Sequence, residues 1–140
     1  MYSHKNLVYI LTSLECIEKA FIYSNKFDTE ESFYTANDQM NFNACQILLQ
    51  TIGEESKKIE SALKDQYSTI PWQSIGNLRN RIAHDYRGTE PAVIFDVIRN
   101  YLSPLKVSLV NMVTQIDFDP NVFMEALKSE NYKHLGYLKR

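Results

Sequence analysis

The nine residues 79–87 hold three arginines, a histidine and an asparagine: Arg79, Arg81, Arg87, His84 and Asn80. An imidazole titrates near neutrality and can both take and return a proton. A guanidinium offers a fixed fork of donors matched to phosphate oxygens. Together they could cleave a ribose phosphodiester without a metal: a base removes the 2′-OH proton and a cation stabilises the phosphorane that follows. On a helix Asn80 and His84 are four apart and share a face, so the amide is expected to orient the imidazole. Arg79, five before His84, stands about 140° round the axis, within reach of a long side chain. Arg81 and Asp85 are four apart and are expected to pair, with phosphate contact as the other role open to Arg81.

These residues need a helix beneath them. Ile75, Leu78 and Ile82 recur at spacings of three and four and face a core, so the segment 72–86 is predicted helical, with Ile70-Pro71 before it and Gly88 to end it. Upstream, Leu7, Ile10, Leu11, Leu14, Ile17 and Phe21 mark the apolar face of a first helix. Asp28 and Glu31 suggest a capping box opening a long second helix, whose stripe runs from Phe33 through Met40, Ala44, Ile47, Leu48 and Ile52 to Ile59 and Leu63. Gly53 is its weak point, costing about 1 kcal/mol relative to Ala. Downstream, Val93, Ile94, Val97, Ile98, Tyr101 and Leu102 mark a fourth helix, and Ser103-Pro104 kinks it or caps a fifth holding Leu105, Leu109, Met112, Val113 and Ile116. Asp119-Pro120 starts a last short helix, and the polar, aromatic tail 129–140 is expected to be loosely ordered.

The composition agrees. With 140 residues, 44% hydrophobic and 23% charged, the chain suits one domain with a real core, and 4 Gly with 4 Pro are too few for many tight turns. The expected fold is an all-α antiparallel bundle of about five to six helices, with 1–118 as the bundle and 119–140 as a short helix and tail packed on or extending from it. Cys16 and Cys45 form no CxxC and are expected as buried thiols. His4, His84 and His134 are scattered, so no metal site and no cofactor is expected. No apolar run approaches the ~20 residues that span a bilayer, which leaves a cytoplasmic protein without membrane contact as the expectation. A net charge of −2 excludes a general polyanion binder, so nucleic acid must meet a local basic site.

Arg79, His84 and Tyr86 spell R-x4-H-x-Y. With Asn80, the upstream Pro71-Trp72 and the glycine-centred stretch Ile52-Gly53-Glu54, the chain resembles the HEPN superfamily, specifically its HepT-like branch of toxin ribonucleases, over roughly 5–113. The resemblance implies a helical bundle that forms a homodimer with its motifs facing in one cleft. It implies a metal-independent endoribonuclease, the toxin of a bacterial type VII toxin–antitoxin system, with RNA as substrate. Arg79 and His84 would be catalytic, Asn80 and Arg81 supporting or RNA-binding. The implied partner is a small nucleotidyltransferase of the MntA type, which would silence the toxin by attaching AMP to Tyr86. The alternative is a non-enzymatic HEPN module that binds such a nucleotidyltransferase. No role is expected for His4 or His134. Glu54, Glu55, Lys57 and Lys58 are expected as a solvated charge run, and Trp72 as a core or dimer contact.

Overall fold

Apolar stripes at helical spacing bury themselves only against one another, and here they do so around one central helix. A computed structural model describes residues 1–139; Arg140, the last residue of the expected C-terminal unit, lies outside them. The five long helices are α1 (Lys5–Ser24), α3 (Met40–Lys58), α5 (Trp72–His84), α6 (Pro91–Asn100) and α7 (Leu102–Val113). Three short ones, α2 (Glu30–Thr35), α4 (Ser61–Asp65) and α8 (Pro120–Ala126), lie between and after them. There is no strand among the described residues, only a single parallel bridge between Tyr2 and Ile116. The protein is therefore all-α, as expected.

Helix α3 is the axis of the bundle, packing along α1 on one side and α5 on another. Ile10, Leu14 and Ile17 of α1 are fully buried, as are Cys45 of α3, Ile94 of α6, and Leu109 and Met112 of α7. Each such aliphatic side chain contributes about 1.5–3 kcal/mol through burial. Both cysteines are buried free thiols, and burial pushes each up to about 12.

The expected long second helix is broken twice. Asn37, Asp38 and Gln39 carry φ of 52°, 58° and 67°, a left-handed corner between α2 and α3. Asn and Asp tolerate that region better than other side chains. Phe33 and Phe42, on either side of the corner, both enter the core, so the apolar periodicity runs through a bend it does not register. A second break follows α3, where Ile59 is extended. The helix start also moves by one residue. Thr29, not Asp28, is the N-cap, its hydroxyl accepting the Ser32 N–H at 3.1 Å.

The tail is not loose. Leu135 and Leu138 are 0% and 6% exposed and join the core with Phe123 and Leu127. The Tyr137 hydroxyl donates to Glu18 at 2.7 Å, and burial, with that carboxylate, pushes the phenol well above its usual range. A tail with few apolar residues is still anchored when those few reach the core.

Candidate active site

Helix α5 carries the candidate residues, and one buried side chain sets its rotation. Ile82 is 1% exposed, while Ile75 and Leu78 are partly buried. Helix α5 runs antiparallel to α3, with Arg79 opposite Gly53. A Cβ at Gly53 would fall well inside van der Waals contact of Arg79 Cβ and 3.2 Å from the Ile75 carbonyl oxygen. The glycine that looked like a weak point in α3 is what lets α5 approach closely at the position of Arg79.

At that crossing Arg79 is held on two sides. Its Nη2 and Nε donate to Glu54 Oε1 at 3.2 and 3.4 Å, and its Nη1 donates to Asn80 Oδ1 at 3.1 Å. Both partners of the ion pair are about one-third exposed (34% and 39%), so solvent screens it. Its worth is positional: it fixes one guanidinium edge. Glu54 was expected to sit on a solvated face; the glycine-centred stretch around it was the only signal that it would meet α5.

Asn80 thus serves Arg79 rather than His84, whose side chain makes no hydrogen bond to any described residue. The expected amide–imidazole contact does not form because the amide oxygen is occupied by the adjacent guanidinium. Arg81 makes no ion pair with Asp85 among the described residues. Instead Asp85 leaves the helix (φ −143°, ψ 66°) and turns its carboxylate onto the Gly88 N–H at 3.1 Å, and its backbone carbonyl accepts the Thr89 hydroxyl at 3.2 Å. A side chain at Gly88 would collide with that carboxylate. The helix therefore ends at His84, two residues earlier than expected, and Tyr86 stands on the following turn, 39% exposed.

The arginines also part company. Residues two apart on a helix lie about 200° apart, so Arg79 and Arg81 open onto different grooves. Arg79 and Asn80 line a polar groove of about 700 Å³ between α3 and α5, with Lys57, Lys58, Lys64 and Trp72. Arg81 and Asn77 edge an apolar groove of similar volume, walled by Leu49, Ile52, Val93, Val97 and Leu105. Trp72 donates through Nε1 to the Tyr67 carbonyl at 3.2 Å, which ties the start of α5 to the preceding turn. His4 and His134 lie outside both grooves.

An antiparallel bundle that sets an arginine at a helix crossing and a free histidine at the end of the same helix is the class of protein that fold and site define. The description that matches this chain is "Ribonuclease HepT-like", over residues 13–112, most of the bundle and all of α5. The chain belongs to the HepT-like ribonuclease family. A protein of Methanocaldococcus jannaschii named "Gamma-glutamylcyclotransferase and putative RNase" is 25% identical over 115 residues, covering 82% of this chain and 49% of that protein. One of Thermococcus cleftensis named "Probable ribonuclease HepT" is 31% identical over 58 residues, covering 41% of this chain and 53% of that one. The chain thus spans about half the length of the curated relatives it matches. No solved structure gives a significant match. No helix among the described residues is long and apolar enough to cross a membrane.

Proposed function

We propose that the protein is a metal-independent endoribonuclease, the toxin of a bacterial type VII toxin–antitoxin pair, acting on cytoplasmic RNA. The observation that carries this reading is the division of labour on α5: Arg79 is positioned by Glu54 and Asn80, while His84 ends the helix exposed and without a partner. His84 takes the proton of a ribose 2′-OH, O2′ bonds to phosphorus, and the bond to O5′ breaks as that oxygen takes a proton from the imidazolium so formed. Arg79 neutralises the charge on the non-bridging oxygens. Arg81, exposed and free of any carboxylate partner, contacts the strand on the other flank of α5.

Within one chain Arg79 and His84 diverge by about 140° round the helix, which favours a homodimer in which the histidines and arginines of two copies complete a common cleft. Tyr86 is exposed on the turn after His84, with its hydroxyl free of any described partner. That suits its role as acceptor of AMP from an MntA-type nucleotidyltransferase: the phenol oxygen attacks the α-phosphorus of ATP and pyrophosphate leaves. A bulky anion two residues from His84 would repel the RNA phosphates. The alternative, a non-enzymatic module that binds the nucleotidyltransferase, is favoured by one observation, the apolar groove beside Arg81.

The test is cleavage of total bacterial RNA in EDTA by the protein and by His84→Ala, after mass spectrometry has shown Tyr86 free of adduct. Cutting that resists EDTA and disappears in His84→Ala is the expected result. Absence of cutting by the unmodified protein would transfer the assignment to the binding module. Incubation with the cognate nucleotidyltransferase and ATP should add one AMP at Tyr86, and an adduct elsewhere would remove Tyr86 from the scheme.

A further inference from the structure

The polar groove between α3 and α5 extends well past Arg79. From Arg79 to Trp72 the helix runs about 10 Å, and along that length the groove is bordered by the last turn of α3 and by Lys64 of α4. Its charges do not balance. Lys58, at the groove's edge, is matched by Glu55 at 3.0 Å and stands over the Tyr9 ring, and Arg79 is matched by Glu54. Lys57 and Lys64 then remain with no carboxylate at ion-pair distance among the described residues. Lys57 is exposed, whereas Lys64 is drawn in, its Nζ donating to the Ser56 carbonyl at 3.0 Å and standing 5.8 Å from the Trp72 ring centre. Partial burial lowers the ammonium's pKa, with the neighbouring Asp65 carboxylate acting in the opposite direction.

Two further donors, the Gln73 N–H and the Ser56 hydroxyl, border the same place. Pro71 caps α5 with no side-chain hydrogen bond, so the N–H of Gln73, which lines the groove, has no described partner at the positive end of the helix. Ser56, between the lysines and α5, is 3% exposed, and its hydroxyl is buried without any partner. A buried hydroxyl left unpaired costs stability unless a ligand or water satisfies it. The net charge of −2 makes this local surplus of cations stand out.

We propose that this groove is a second phosphate subsite, in which Lys57, Lys64 and the Gln73 N–H in the first turn of α5 hold a phosphodiester of the same RNA strand one or more nucleotides from the bond that is cut. The proposal rests on the ribonuclease reading above, and it extends the RNA footprint from the two motif residues to the whole length of α5. It commits to a single strand, whose flexible backbone can follow a helix-lined groove while the bases remain outside.

The test uses a fluorescent oligonucleotide of about ten residues with 2′-O-methyl sugars, which lacks the nucleophilic hydroxyl and so reports binding alone. Anisotropy would be measured at several salt concentrations for the intact protein, Lys57→Ala, Lys57→Arg and Lys128→Ala. Lys57 has an exposed side chain, so its loss leaves the fold intact, to be confirmed by thermal melting. Lys128 lies beyond α8, outside the groove, and removes the same charge. Lys57→Ala should bind about fivefold more weakly, with the slope of log Kd against log salt reduced by about 0.7, the value for one phosphate on a single strand. Lys57→Arg should restore both, and Lys128→Ala should change neither. Unchanged binding by Lys57→Ala, or an equal loss in Lys128→Ala, overturns the subsite. If wild-type protein cuts RNA and Lys57→Ala binds normally, the subsite alone falls. Failure of wild-type protein to cut any RNA removes the ribonuclease reading instead, whatever the binding shows.

Discussion

Arg79 and His84 lie five residues apart on one helix, and their surroundings could hardly differ more. Arg79 sits where α5 crosses α3 closely, with a carboxylate and an amide on its guanidinium and a backbone notch beneath its Cβ. His84 is the last residue of α5, exposed, followed by a turn that Asp85 and Gly88 tie to each other rather than to it. One end of the helix is pre-organised and the other is open. A cation that stabilises a transition state gains most from fixed geometry, since it then does not reorganise as charge develops. A proton carrier must meet its substrate and be replenished, and the open end provides access. The contrast leaves the His84 side chain with no hydrogen-bond partner among the described residues of a single copy.

The largest expected effect comes from closing the notch. Gly53→Ala should force α3 and α5 apart, costing about 1–3 kcal/mol of stability, since overpacking a close contact is felt directly. It should also lower cleavage about 100-fold, because a displacement of about 1 Å at a catalytic group is that costly. Thermal melting and RNA cleavage check the two numbers, and full activity in this variant would show that the close crossing does not matter to Arg79. Glu54→Gln comes next. It keeps the shape but loosens the guanidinium, and cleavage should fall about fivefold, equivalent to about 1 kcal/mol. Melting should shift little, because the ion pair, about one-third exposed, contributes under about 1 kcal/mol. A large loss of stability with unchanged cleavage would reverse the assignment of this pair from positioning to folding.

At the open end, Asp85→Ala removes the hydrogen bond to Gly88 and should cost about 1 kcal/mol. AMP transfer to Tyr86 should slow more than RNA cleavage, because the turn places Tyr86 while the helix places His84. Equal slowing of both would mean that the turn and the helix end move as one. The smallest effect belongs to the core under both ends. Burial holds the thiols of Cys16 and Cys45 at about 12, so iodoacetamide at pH 8 should leave the folded protein unmodified. Modification before global unfolding, seen as added mass, would show that α1 and α3 part locally.

Much of the architecture was legible because helices advertise their buried faces. Leu7 to Phe21, Ile94 to Leu102 and Leu105 to Val113 are stripes that nothing else explains. The corner at Asn37, Asp38 and Gln39 was not, because both of its flanks feed the same core and the spacing survives the bend. The tail was misjudged from composition, as Leu135 and Leu138 do in two positions what a periodic helix does in five. At the site, residue types pointed to α5 but not to what each would touch. Side chains four apart were expected to meet. Asn80 turned instead to its neighbour Arg79, and Asp85 turned to the loop, because each had a nearer donor available. Glu54 could be found only across the fold, since its partner is 25 residues away.

The absence of a side chain at Gly53 links two positions in size. While position 79 carries any Cβ at this crossing, position 53 admits no substituent unless α3 and α5 move apart. In a set of homologous sequences this predicts glycine at the first place wherever the second carries a side chain of any kind and the two helices keep this spacing. A larger residue at the first place would then mark a chain whose two helices stand farther apart.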